Sequence, residues 1–162
     1  MRRSIGIAVL AVAIVATAVA VAWGGTTAGN SQSRARPAGG ARVITVIEHA
    51  TTDATTDTGA QGDSAGDMLT FANEVFDAKD AKKVGTDQGY CIRTVAGKSY
   101  ECNWTTFLPG GQITVEGPFF DARNSTLAVT GGTGRYRRAR GTVALQSRAN
   151  GGKFAFVFRL VS

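Results

Sequence analysis

The chain has 162 residues, the size of one ordinary domain, and a formal net charge of +6. That charge gives little support to a general nucleic-acid role, because Arg2, Arg3, Arg34 and Arg36 lie ahead of the foldable part and charges nearly balance from Ala41 onward. A single histidine, His49, rules out a metal site built on two histidines and is the one base open to Ser-His-Asp chemistry, for which no Gly-x-Ser-x-Gly elbow exists.

Residues 1–22 read as a secretory signal peptide. Arg2 and Arg3 precede the apolar run Ile5 to Ala22, and Ala20-Val-Ala22 offers an A-x-A exit. The run, about 18 residues, also reaches the length needed to cross a bilayer. Two alternatives stand: a removed signal, giving a secreted protein, or an uncleaved anchor, giving one held to the membrane by its N-terminus. No cysteine comes directly after the run, which argues against a lipid-modified cysteine. Residues 23–41 are Gly, Ser, Thr, Ala and Arg with too little apolar mass to fold, and they read as a flexible linker. The folded domain is expected over residues 42–162.

Within it the apolar period is two rather than 3.6. Eight strands are predicted: Arg42 to His49, Asp67 to Phe76, Gly89 to Val95, Ser99 to Phe107, Gly111 to Gly117, Ser125 to Thr130, Thr142 to Arg148 and Lys153 to Val161. The last is the plainest, with Phe154, Phe156, Phe158 and Leu160 on one face and Ala155, Val157 and Arg159 on the other. Thr51 to Gly66 is too polar for a core and is expected to cover or border a mouth. Glu74 to Lys83 is expected to hold a short helical turn. Short strands at hairpin spacing give an all-β protein, an up-and-down barrel or a sandwich, with the eight-stranded antiparallel barrel preferred.

Cys91 and Cys102 flank the turn signal Val95-Ala-Gly-Lys-Ser99. A two-residue loop at Ala96-Gly97 sets them opposite each other, and in an exported protein a disulfide is the default. That register makes them a hydrogen-bonded pair, awkward for a cross-strand bond, and a different turn length would relieve it. Val129-Thr-Gly-Gly-Thr-Gly134 imitates the start of a dinucleotide-binding fingerprint, but Arg137 stands where the third glycine is required, and the residues after Gly134 read as strands. No Lys-Ser or Lys-Thr comes next for a P-loop. Gly131, Gly132 and Gly134 are instead expected to supply positive φ in a turn. Arg135, Arg137, Arg138 and Arg140 form the one local basic cluster, a solvated barrel rim or a surface for an anion.

Gly66-Asp-Met-Leu-Thr-Phe-Ala-Asn73, Gly85, Gly89-Tyr-Cys91, Tyr100-Glu-Cys102, Gly117-Pro118 and Leu127-Ala-Val-Thr-Gly-Gly-Thr-Gly134, in this order, resemble the allene oxide cyclase-like barrels. The run through Gly141 is also similar to a turn of plant dirigent proteins. The resemblance spans about residues 42–162. It implies an eight-stranded barrel with an apolar cavity, no cofactor, a small hydrophobic ligand as partner, and a dimer or trimer, since plant members are trimers. It further implies catalysis by orientation of a reactive guest, as an isomerase or cyclase if the chain is an enzyme. Asn73 falls where an Asn helps hold a water in plant cyclases, and Glu48 near their charge-stabilising Glu. Cys91 matches their cavity cysteine, although Cys102 has no counterpart there. For the dirigent aspartates, Asp53 and Asp67 are the nearest candidates.

Glu48 is the leading residue for chemistry. It adjoins His49, and neighbours on a strand point to opposite faces, so the two cannot act as an acid–base pair. A Glu48 facing an apolar cavity gains a raised pKa and serves as general acid or counter-charge. Tyr90, Trp104, Phe107 and Phe119 are candidates for the cavity lining, with barrel core or subunit interface as the other roles for such residues. Asn103-Trp-Thr105 and Asn124-Ser-Thr126 match the glycosylation pattern, which matters only in a eukaryotic secretory host. The functional expectation is an exported barrel that binds a small apolar or aromatic guest and directs isomerisation, cyclisation or stereoselective coupling. The alternatives are a non-catalytic carrier or a cell-surface interaction module using the arginine turn.

Overall fold

The computed structural model describes residues 41–161. The expected signal and the linker up to residue 40 lie outside the described residues. Ten strands form one antiparallel sheet: β1 (Arg42–His49), β2 (Ala54–Thr56), β3 (Met68–Phe71), β4 (Glu74–Asp77), β5 (Lys83–Val95), β6 (Ser99–Leu108), β7 (Gly111–Phe120), β8 (Ser125–Gly132), β9 (Arg140–Arg148) and β10 (Lys153–Val161). They make eight staves. β2 continues the line of β1, and β3 and β4 lie end to end along β5. The pairing of β5 with β6 closes the ring.

Three expectations need correction. The stretch Asp67 to Phe76 is not one strand but breaks at Ala72 and Asn73. The helical turn expected at Glu74 to Lys83 is strand β4 followed by a tight turn, in which the Asp77 carboxylate accepts from the amides of Lys79 and Ala81. β5 begins at Lys83, six residues before the expected start at Gly89. Gly85 and Gly89 are points of close approach within β5: a Cβ at Gly89 would sit 2.3 Å from Trp104 Cβ. The base of the Trp104 side chain at Gly89 and the Phe107 carbonyl at Gly85 occupy the space that glycine leaves open.

Alternation fills the interior. Leu69, Phe71, Asn73 and Val75 point inward from one stave, and Phe154, Phe156, Phe158 and Leu160 from another. The end at which β1 starts is plugged by buried Tyr136 and Ala139 of the turn after β8. Of the three glycines in that turn only Gly134 has positive φ (56°), and a Cβ there would lie 2.2 Å from the Gly110 carbonyl. The glycine-rich run is therefore a barrel corner.

Cys91 and Cys102 are bonded and directly opposed. An irregularity between Arg93 and Val95 changes the turn length, and the Cα–Cα separation of 4.0 Å is that of a non-hydrogen-bonded pair. The bond is compatible with an oxidising compartment. Replacing both cysteines by serine should cost about 2–3 kcal/mol in the loop-entropy account. Urea melts of the non-reduced protein and the double variant check this; coincident curves would show that the bond adds nothing.

Candidate functional site

The open end is where β1 finishes. There Glu48 projects inward and is only 5% exposed, in a cavity walled by Phe71, Trp104, Phe119, Leu145, Phe154 and Phe156. The disulfide forms part of the same wall. Burial raises the Glu48 carboxyl from 4.5 to about 7, the nearby Asp53 charge adds to this, and a hydrogen bond from Asn73 opposes it. His49, next in sequence, faces outward, stacked on Phe76 with its Nε2 2.5 Å from Asp80 Oδ1.

Asn73 organises the site. Its Nδ2 donates to Glu48 Oε1 at 2.9 Å and to Asp53 Oδ1 at 2.8 Å. Its Oδ1 accepts from the amides of Thr51 and Thr52 and from Thr52 Oγ1. Its backbone exchanges both hydrogen bonds with Asp87, so the stave stays joined across the break. The amide is thus fully engaged by protein partners, and Asn73 acts as a positioning residue for Glu48.

Behind Glu48 lies Asp87, 1% exposed. Its Oδ1 accepts weakly from the Asn73 amide, while its Oδ2 meets no donor among the described residues. Burial first, then the charge of Glu48, pushes the Asp87 carboxyl up to about 9. That shift favours the neutral form of Asp87 next to Glu48. The arrangement is a pair of buried carboxyls, both raised in pKa, beneath an aromatic cavity.

A strap from Thr51 to Gly66, including β2, borders this mouth as expected. Asp67 ties it down, accepting from the amides of Thr58 and Ser64 at 3.1 and 2.7 Å, and those bonds hold its carboxyl below the usual range. Arg93 joins strap and wall. It contacts Asp63 at 2.6 Å and Asp121 at 2.7 Å and covers the Tyr100 ring at 3.6 Å.

The residues singled out from sequence separate by phase. Glu48, Asn73, Trp104, Phe119 and both cysteines come together at the mouth, with Asp53 on its rim. Tyr90, 47% exposed, and Phe107 have the opposite phase on β5 and β6 and face away from the cavity. Sequence reasoning did not find Asp87 or Arg93. Both are in phase with Cys91 on β5, and that parity was the available signal.

Residues 45–161 match the Allene oxide cyclase family. Among solved structures, a pyocyanin demethylase is 27% identical, covers 72% of this chain and all of its own, and superimposes with a TM-score of 0.63. A pterocarpan synthase dirigent protein (14% identity, 76% of this chain, 95% of its own, TM-score 0.60) shares the fold. So does an exo-specific intermolecular Diels-Alderase (14% identity, 76% of this chain, all of its own, TM-score 0.62). With the closed eight-stave barrel and the matched span of β1 to β10, the chain belongs to the allene oxide cyclase family.

Proposed function

We propose that the barrel binds a small, flat, apolar or aromatic guest at the Glu48 mouth and directs its isomerisation or cyclisation. The carrying observation is a protonatable carboxyl, buried and oriented, facing an aromatic-walled cavity. Such a group delivers a proton to a bound guest or balances a positive charge that develops on it. The solved relative at 27% identity supports an aromatic guest, since its name has it act on pyocyanin, a phenazine.

The cavity has about 50 Å³ of free volume, room for a few waters and less than a fused ring system requires. A larger outer cleft of about 510 Å³ lies beside it, and the two share Phe119, Leu145 and Phe154. The Phe119 and Phe154 rings meet edge to face at 5.9 Å and form the partition. A guest reaches Glu48 when these rings turn aside and join the two spaces. The charged-then-apolar N-terminus and the disulfide support an exported protein. Outward-facing Met68, Tyr90 and Ile92 supply apolar surface for the dimer or trimer that the resemblance implies.

Trp104 reports on occupancy, because its indole packs 5.3 Å from Phe156 and 6.5 Å from Phe71 in the cavity wall. In a Trp23→Phe background, titration with phenazines, polyenes and oxylipins should quench its emission. Adding Phe154→Ala should change affinity for the best guest by about tenfold or more. Unchanged emission with every guest, together with no co-purifying ligand in native mass spectrometry, would leave a barrel filled by its own side chains.

A further inference from the structure

The barrel's surplus of basic charge is gathered at its plugged end. At the mouth the aspartates of strap and rim, Asp53, Asp57, Asp63, Asp67 and Asp121, are offset by Arg93, Lys98, Arg123, Arg148 and Lys153. The plugged end carries Arg42, Arg135, Arg137, Arg138 and Arg140, all exposed. None of these five arginines makes an ion pair with a carboxylate among the described residues. They are also not arranged as a plain solvated turn. Arg42, Arg135 and Arg138 surround a recess of about 120 Å³ whose floor is Tyr136, Leu160 and Val161. The Arg42 guanidinium lies over the Tyr136 ring at 5.4 Å, and Arg140 spends one N–H on the Ala139 carbonyl at 2.7 Å.

An apolar floor inside a ring of guanidiniums suits a phosphate group attached to something apolar better than it suits a free ion. Val43 and Val161, 59% and 53% exposed, add apolar surface at the same end. The chain enters the barrel there, at Arg42, directly after a segment that contributes Arg34 and Arg36 and comes behind the apolar run Ile5 to Ala22. We infer that the plugged end is a docking surface for the phosphate headgroups of an anionic lipid membrane, with the mouth held away from it.

The test uses the full chain, so that the apolar N-terminal run is present in every sample. Hydrogen exchange of the Thr133 to Arg140 turn is monitored on vesicles of phosphatidylcholine alone and of phosphatidylcholine with phosphatidylglycerol. Exchange of the turn should slow by at least tenfold on the anionic vesicles and recover in about 0.5 M salt, where the Debye length is a few ångströms. Arg137→Glu with Arg138→Glu should abolish the slowing while exchange in β6 stays unchanged; Arg137→Gln with Arg138→Gln should weaken it if the reversal variant fails to fold. Equal exchange on the two vesicle types would overturn the inference. Equal protection by millimolar inorganic phosphate alone would also overturn it, by identifying a free-phosphate site.

Discussion

Glu48→Gln should lower the turnover of any guest the barrel converts by about 10²- to 10⁴-fold, while guest affinity changes less than tenfold, because the amide keeps the shape but cannot give up a proton. The wild-type rate should fall as pH rises through about 7, where Glu48 loses its proton. Asp87→Asn should keep most of the neutral rate, since a neutral amide imitates the uncharged acid that the raised pKa of Asp87 favours. Turnover unchanged in Glu48→Gln would remove Glu48 from the mechanism. The same pair has a signature in stability. Both carboxyls are raised above their ordinary values of 4.5 and 3.8, so the folded state holds protons that the unfolded state releases. Stability is therefore full in acid and declines as pH climbs from about 4 to about 9. The Glu48 part alone amounts to about 3 kcal/mol at one pKa unit per 1.36 kcal/mol. Urea melts at pH 5 and pH 9 should show that decline in the wild type and a flatter profile in Glu48→Gln with Asp87→Asn. An equal slope in both proteins would mean that the pair is solvated.

The barrel was legible because its strands announce themselves locally. The run from Phe154 to Leu160 alternates whatever its neighbours do, and side-chain phase is a property of the strand alone. The cysteine pairing was legible for a related reason, since one short turn fixes the register between Cys91 and Cys102. The misses have a different origin. β2 exists because β3 offers an edge to it, and no feature of Ala54–Thr56 signals that. The break at Asn73 comes from five side-chain hydrogen bonds that reach to Thr51, Thr52, Asp53 and Glu48. Asp87 sits between Gly85 and Gly89, ahead of the expected strand start at Gly89, and only the Phe107 carbonyl and Trp104, which need the room those glycines leave, show the strand running on through it. Tyr90 and Phe107 drew attention through their size, although the inward phase of the cysteines already directed both outward.

Asn73→Ala should be the most damaging single substitution at the mouth, at about 3–5 kcal/mol. It removes the acceptor for two amides and one hydroxyl of the strap and the donor for Glu48 and Asp53. The carboxyl of Glu48 then lies buried with its lowering hydrogen bond gone, so its pKa should rise further and the alkaline limb of the rate profile should move up with it. That displacement separates positioning from mere loss of fold, because a variant that is only less stable keeps the wild-type pKa in its folded fraction. Asn73→Asp makes the complementary case. It is close in size, but it sets an acceptor against Glu48 and Asp53 at once, so its cost should be large at neutral pH and recede in acid as the carboxyls are protonated. Urea midpoints of both variants, read beside hydrogen exchange of residues 51–53, measure the effect. A cost below about 1 kcal/mol for Asn73→Ala would mean that water replaces the amide without loss, and that Glu48 is held by the barrel wall alone.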